Sequence, residues 1–209
     1  MLLTIFYRRG CIKSRFLRGS LRVMEWELRE ADVADANSKA ELIQLKSNAG
    51  VGGSVITPAI YTNEAYSHEL YPMIEYLNDR SPDGMYPGDV ALRLYARTLL
   101  HRVLRKLNEL WPEYIKTNNP EPILDYYKEN EELVEDLVRN RVSWRVLESR
   151  PTFPEVLFFS LLVEVNYHRP ISNKIVLPWF KELAADPRLY SLSQEPYQGY
   201  QAERLNKLD

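Results

Sequence analysis

Near residue 80 the spacing of hydrophobic positions changes, and the change divides the chain in two. Before it, short apolar runs alternate with helical spacings. Residues 2–7 read as a first strand, with Ile5, Phe6 and Tyr7 as strand-prone side chains and Arg8-Arg9-Gly10 as a turn. From Cys11 to Met24, Ile12, Phe16, Leu17, Leu21 and Val23 fit a helix packed on a sheet. Glu25 to Val33 alternates apolar Trp26 and Leu28 with polar Glu25, Glu27 and Arg29, the pattern of a strand with one exposed face. Asn37-Ser38 can cap a helix that runs through Leu45 on Ala40, Leu42 and Ile43.

Gly50, Gly52 and Gly53 follow. They come after a helix, precede a strand and lack a downstream Lys-Ser/Thr, so they read as a flexible turn rather than a phosphate loop. Pro58 lies in an apolar, β-branched run. Since proline cannot donate to a sheet ladder, it belongs at a strand start, an edge or a special turn. A hairpin from Pro58 to Ser67 and a helix over Tyr71–Asn78, carried by Met73, Ile74, Tyr76 and Leu77, complete a β-α-β-α-β-β-α series. Residues 81–87 form a linker, which predicts domains over 1–80 and 88–209.

Beyond the linker every periodicity is helical. Leu100, Val103, Leu104, Leu107, Leu110 and Trp111 trace a long helix that Pro112 kinks or ends. Asn118-Asn119-Pro120 breaks the chain before a helical stretch over roughly 121–148. Thr152-Phe-Pro-Glu155 has the form of a capping box, and the helix after it is apolar on nearly every side from Val156 to Val163, as expected at the centre of a bundle. A helix over 175–185 and a short one after Asp186-Pro187 follow, and the tail from Gln194 to Asp209 reads as polar and mobile.

Composition narrows the function classes. In 209 residues, 45% are hydrophobic and 27% charged, the balance of a folded globular protein. A net charge of −2 offers no bulk attraction to nucleic acid or to an anionic membrane, and neither is expected as a partner. No run approaches the ~18 apolar residues of a membrane span. One cysteine excludes an internal disulfide and suits a reducing compartment, so the chain reads as cytoplasmic.

Cys11 is the candidate nucleophile. A helix N-terminus, with Arg8, Arg9, Lys13, Arg15 and Arg18 nearby and no acidic residue before Glu25, favours a thiolate. The alternative is an inert, partly buried thiol. Arg93, Arg97, His101 and Arg105 recur every four residues, and like charges at that spacing call for acidic partners. Glu121, Asp125, Glu129, Glu132 and Asp136 offer a matching ridge, within the chain or across a dimer. An anion site or a protein-binding face is the sharper reading of the basic ridge. His68, His101 and His168 have no metal-ligand spacing, and no metal is expected. Glu164 and Asn166, inside an apolar helix, are expected to link neighbouring helices. Tyr7, at the end of the first strand, is a weaker catalytic candidate.

A thioredoxin-like β/α domain joined to an all-α helical bundle resembles the glutathione transferase superfamily over nearly the whole chain. The resemblance places Pro58 at the family's cis-proline, with Thr57, Pro58 and Glu69 at glutathione-binding positions. Glu69 and Met73-Ile-Glu-Tyr-Leu77 are similar to the helix that usually reads Glu-Ser-x-x-Ile-x-x-Tyr-Leu. The Thr152–Glu155 box matches the family's Ser/Thr-x-x-Asp box. Cys11 with Ser14 falls where thiol-using members carry Cys-Pro-x-Ser, but Ile12 replaces the proline. Leu70 replaces the serine that grips glutathione, so glutathione is disfavoured and no cofactor is expected.

Within the superfamily the chain resembles the branch of the bacterial stringent starvation proteins, transferase-fold regulators that bind RNA polymerase. Ser14 with Arg18 is similar to that branch's Ser-His-x-x-Arg helix start, and Leu99-Leu-His-Arg-Val103 and Trp111 to its Met-Met-His-Arg-Ile segment and later Trp. Of its Pro-His-Pro loop the first proline is kept, as Pro82. The resemblance implies a homodimer that acts through RNA polymerase or another transcription protein, without transferase catalysis, with Pro82, Arg93, Arg97 and His101 as protein-binding candidates. The alternative it implies is a glutathione-dependent transferase or thiol reductase using Cys11.

Overall fold

The computed structural model describes residues 2–52, 55–63, 65–145 and 150–198. Gly53 of the glycine turn, the end of the 121–148 stretch and the tail beyond Gln198 lie outside the described residues.

Four strands make one sheet in the order β2-β1-β3-β4. β1 (Leu3–Tyr7) pairs in parallel with β2 (Leu28–Asp32) and antiparallel with β3 (Ala59–Tyr61), which pairs antiparallel with β4 (Tyr66–Ser67). The two-residue alternation of β1 sorts its side chains between two cores. Leu3, Ile5 and Tyr7 join the main core with α1 (Ile12–Val23) and α3 (Leu70–Arg80). Phe6 points the other way, where it packs with Ala31, Val33, Leu42 and Ala59 under α2 (Ala36–Asn48). The sheet is therefore covered on both faces, as in a thioredoxin-like domain.

Among the described residues six helices follow: α4 (Val90–Thr117), α5 (Glu121–Glu129), α6 (Glu131–Trp144), α7 (Phe153–His168), α8 (Val176–Ala185) and α9 (Tyr190–Ser193). The expected fold class, a thioredoxin-like domain joined to a helical bundle, is the one observed. α7 is buried from Phe153 to Val165, so its lack of a polar face is the consequence of lying inside the bundle. Its start is held by the Glu155 carboxylate, which accepts from the Thr152 N–H at 2.8 Å and from Arg145 Nη2 at 2.7 Å. α1 crosses α7 at Gly19, where a Cβ would stand 2.9 Å from Val156 Cγ1 and only glycine permits the approach. Phe16 and Phe153 meet edge to face beside that crossing.

Several boundaries differ from the sequence reading, each for a local reason. α2 starts one turn early because Asp35, not Asn37 or Ser38, is its cap, and accepts the Ser38 N–H at 2.8 Å. Pro112 neither ends nor interrupts α4, because buried Trp111 and Tyr114 on either side hold the helix to the core. The 121–148 stretch is two helices, broken at Asn130, whose side-chain amide donates to the Tyr126 carbonyl instead of extending the helix. The segment between α3 and α4 is irregular but anchored: Met85 and Tyr86 are buried, and the Phe153 N–H donates to the Met85 carbonyl.

Candidate functional site

The candidate site residues lie on three segments: the Thr57-Pro58 turn, the start of α1 and the start of α3. Thr57-Pro58 is a cis peptide immediately ahead of β3. Pro58 is buried and Thr57 half-buried. Glu69 is the N-cap of α3 without a capping hydrogen bond, its side chain 73% exposed and 3.4 Å from His68. Leu70, the next residue, is half-buried and packs on the main core, so the first turn of α3 presents a hydrocarbon where a hydroxyl would face the cleft.

At the start of α1, Cys11 is the N-cap and is 4% exposed. Ser14 is buried, and its hydroxyl accepts the Arg8 N–H at 3.2 Å, which fixes the turn into the helix. Two of the arginines that the sequence places around Cys11, Arg15 and Arg18, are held by carboxylates. Arg15 Nη2 donates to the carbonyls of Gly10 and Glu195 and lies 3.4 Å from the Glu164 carboxylate, while its Nη1 donates to the Ser160 carbonyl. Burial lowers the Arg15 pKa, and the charge of Glu164 opposes that shift. Arg18 meets Glu30 at 2.6 Å and Glu195 at 2.6 Å, with its guanidinium 3.8 Å over the Tyr7 ring. That ring is buried, which raises the Tyr7 pKa despite the Arg18 charge and leaves it a poor proton donor at neutral pH.

Glu164 is the hub of this network. It accepts the Tyr114 hydroxyl at 2.7 Å and the Tyr197 N–H at 3.0 Å, and His168 Nε2 lies 2.7 Å from the same hydroxyl. Burial and the neighbouring Glu164 charge raise the Tyr114 pKa, so its proton stays in place as a structural donor. Asn166 Oδ1 accepts the Ile171 N–H, so Glu164 and Asn166 both link neighbouring segments, as their place in an apolar helix implies.

Residues 194–198 do not form a free tail. Tyr197 is buried with its ring edge-on to Trp111 and Tyr114, at 5.5 and 5.2 Å between centroids. Its Cα stands 2.9 Å from where a Cβ on Gly10 would be. Sequence reasoning missed Glu195 and Tyr197 because their partners lie on distant elements, 177 positions away for Glu195 and Arg18 and 33 for Tyr197 and Glu164, and no periodicity records such a pairing. The available signal was Arg15, Arg18 and Arg22, recurring at helical spacing on an otherwise apolar helix without a local acid.

The basic ridge of α4 and the acidic ridge of α5 and α6 do not meet: among the described residues no ion pair joins them. Arg97 instead pairs with Glu75 of α3 at 2.7 Å and stacks on Tyr86, and Arg93 donates to the carbonyls of Pro87 and Gly88. His101 is exposed and edge-on to Tyr71. Pro82 is exposed and lines a surface groove of about 380 Å³ with Met24, Glu25, Trp26 and Arg80. On α4, Val90 (77% exposed) and Leu94 (67%), four positions apart, stand out to solvent, and Tyr95 is also exposed. A cleft of about 280 Å³ lies beside them between Leu92, Leu99, Leu133 and Trp144. No helix among the described residues is long and apolar enough to cross a membrane.

No family model matches the chain, and no curated protein matches it. Solved structures do. A glutathione S-transferase from Rhodospirillum rubrum F11 aligns with a TM-score of 0.69 at 14% identity, over 94% of each chain. One from Methylococcus capsulatus aligns at 0.64 and 19% identity, over 97% of this chain and 99% of the other. A glutathione transferase homologue from Sulfitobacter, with bound glutathione, aligns at 0.67 and 12% identity, over 92% and 97%. With the sheet order, the cis-proline ahead of β3 and the buried, capped central helix, these matches establish that the chain has the glutathione S-transferase fold.

Proposed function

We propose that this is a transferase-fold regulatory protein that acts by binding other proteins and does not conjugate glutathione. One observation carries the reading: at the start of α3, the family's ligand-gripping hydroxyl is replaced by Leu70, which packs into the core. A bound γ-glutamyl group would leave charged atoms facing that hydrocarbon, at a cost of about 1–3 kcal/mol or more. The engagement of Arg15 and Arg18 by carboxylates supports the same conclusion, since their charge is already balanced and the Cys11 thiol is buried. The partner class is RNA polymerase or another transcription protein, in a bacterial stress response, as for the stringent starvation proteins the chain resembles.

In this reading the protein is a homodimer, and the exposed apolar face of α4 at Val90 and Leu94 receives the second copy. The face is flanked by exposed Arg102 and Arg105 on α4 and by exposed Glu132 and Asp136 on α6, charges that do not pair with each other within one chain. A two-fold axis would bring one copy's basic stretch against the other's acidic one.

A second reading, a glutathione-dependent transferase or thiol reductase using Cys11, draws on the cis-proline, the placement of Cys11 at the start of α1, and the bound glutathione in the Sulfitobacter homologue. Isothermal titration with glutathione, together with co-purification from a bacterial lysate, separates the two. Saturable glutathione binding with an activity lost in Cys11→Ser would overturn the proposal. Retention of RNA polymerase by the Cys11→Ser variant, without glutathione binding, would overturn the second reading.

A further inference from the structure

The segment after α9 turns back across the molecule and closes on the N-terminal end of α1. Four anchors hold it. The Glu195 carboxylate accepts from Arg18 Nη1 at 2.6 Å, and the Glu195 carbonyl accepts from Arg15 Nη2. The Tyr197 N–H donates to Glu164, and the Tyr197 ring fills the slot between Trp111 and Tyr114. At its centre the segment lies directly on Gly10, where a Cβ would stand 3.3 Å from the Pro196 carbonyl oxygen. Gly10 has φ +78° and stands immediately before the buried Cys11, so the segment lies on the turn that leads into the thiol-bearing residue.

We propose that residues 195–198 are a strap that opens as a unit and controls access to the Cys11 thiol. The physical basis is the unequal strength of its attachments. Arg15 and Arg18 keep Glu164 and Glu30 as partners when the strap leaves, so opening strands no buried cation. Glu195 gains water, and the remaining loss is one aromatic ring and a few hydrogen bonds. Such a segment opens locally at a free energy well below that of global unfolding. The protein then has a closed state with a shielded thiol and an open state in which the thiol, the aromatic wall of α4 and two arginines face solvent. This goes beyond the proposed function and stands whether or not glutathione binds.

The test is the labelling rate of Cys11 by dithiobis(nitrobenzoate) in the full chain, whose one cysteine makes the released thionitrobenzoate report on this thiol alone. Glu195→Gln and Tyr197→Ala are expected to accelerate labelling by about 10- to 100-fold, the effect of losing one charge-assisted hydrogen bond or a buried ring contact. Arg139→Gln, which breaks an exposed pair with Glu135 within α6, should label at the parent rate. Strap variants that label no faster than the parent, or faster only in proportion to their global unfolding constants, would overturn the proposal. The parent chain gives an answer even where a variant fails to fold. Its labelling rate in low urea should rise with a slope well below that of global unfolding, whereas an equal slope would mean that the thiol is reached only by unfolding.

Discussion

The guanidinium of Arg15 on α1 and the carboxylate of Glu164 on α7 lie 3.4 Å apart with side chains 2% and 1% exposed, so the two domains are joined through a fully buried ion pair. Its worth lies less in attraction than in what its loss would leave behind. Replacing Arg15 by Met strands Glu164 in the core, which costs about 3–5 kcal/mol. Replacing both, in Arg15→Met with Glu164→Gln, should recover much of that loss. Urea unfolding of the two singles and the double decides it: additive losses would mean that the pair is not coupled.

This pair also marks where the sequence stopped being informative. The order of strands and helices along the first eighty residues, the helical second half and the buried α7 followed from periodicity and a capping box, which are local properties of the chain. Pro58 was legible as a marked position because proline excludes ladder pairing, and its cis form came from the resemblance alone. The partners of Arg15, Arg18 and Arg97 were not legible. Each is an acid on a distant element, namely Glu164, Glu195 and Glu75, and like-charge spacing on one helix shows that a partner is needed without saying which. For the same reason the acidic residues of α5 and α6 looked like the match for α4, although α3 supplies the acid that Arg97 uses.

Glu30 gives the pair network a pH signature. Burial pushes its carboxyl pKa up, but hydrogen bonds from Arg22 and Arg18 and the charge of both outweigh that and hold it below the ordinary value. A depressed carboxyl stabilises the fold above its unfolded pKa, about 4.3, and that contribution fades as pH falls through the folded value. Glu30→Gln should therefore cost about 1–3 kcal/mol at pH 7 and progressively less below about pH 4. Urea midpoints at pH 7 and pH 3 measure this, and a gap that stays constant between them contradicts it.

Gly10 and Gly50 form a matched pair for testing the contact beneath the strap. Both have positive φ, +78° and +69°, but a Cβ at Gly10 meets the Tyr197 backbone whereas one at Gly50 meets nothing within 4 Å. Gly50→Ala should cost the conformational term alone, about 1 kcal/mol. Gly10→Ala should cost about 1–3 kcal/mol more, because Tyr197 must move away from Trp111. Equal losses in thermal or urea unfolding would mean that the strap yields freely at this point.

Leu70→Ser asks whether one side chain separates this protein from glutathione. Restoring a hydroxyl at the first turn of α3 should strengthen glutathione binding about tenfold over the parent, the value of a single satisfied hydrogen bond to a charged ligand. It should also cost about 1–3 kcal/mol of stability through lost packing on the main core. Calorimetric titration that finds the parent and the variant equally weak would move the cause of weak binding from Leu70 to the closed cleft beside Cys11. Equally tight binding by both would remove the main support for a non-catalytic role.

The exposed face of α4 yields the last prediction. Leu94 is 67% exposed and Val142 72%, and neither side chain contributes to the core, so Leu94→Glu should leave monomer stability within about 0.5 kcal/mol. In a dimer closed on this face the same carboxylate would be buried against its symmetry mate. Like charges that approach across a two-fold axis in an apolar contact cost several kcal/mol, so dissociation should strengthen by at least about 100-fold. Sedimentation equilibrium measures the constant directly. A parent that is dimeric and a Leu94→Glu variant that is equally so would place the interface elsewhere, and Arg105→Glu would then test whether the basic stretch of α4 takes part without its apolar neighbour.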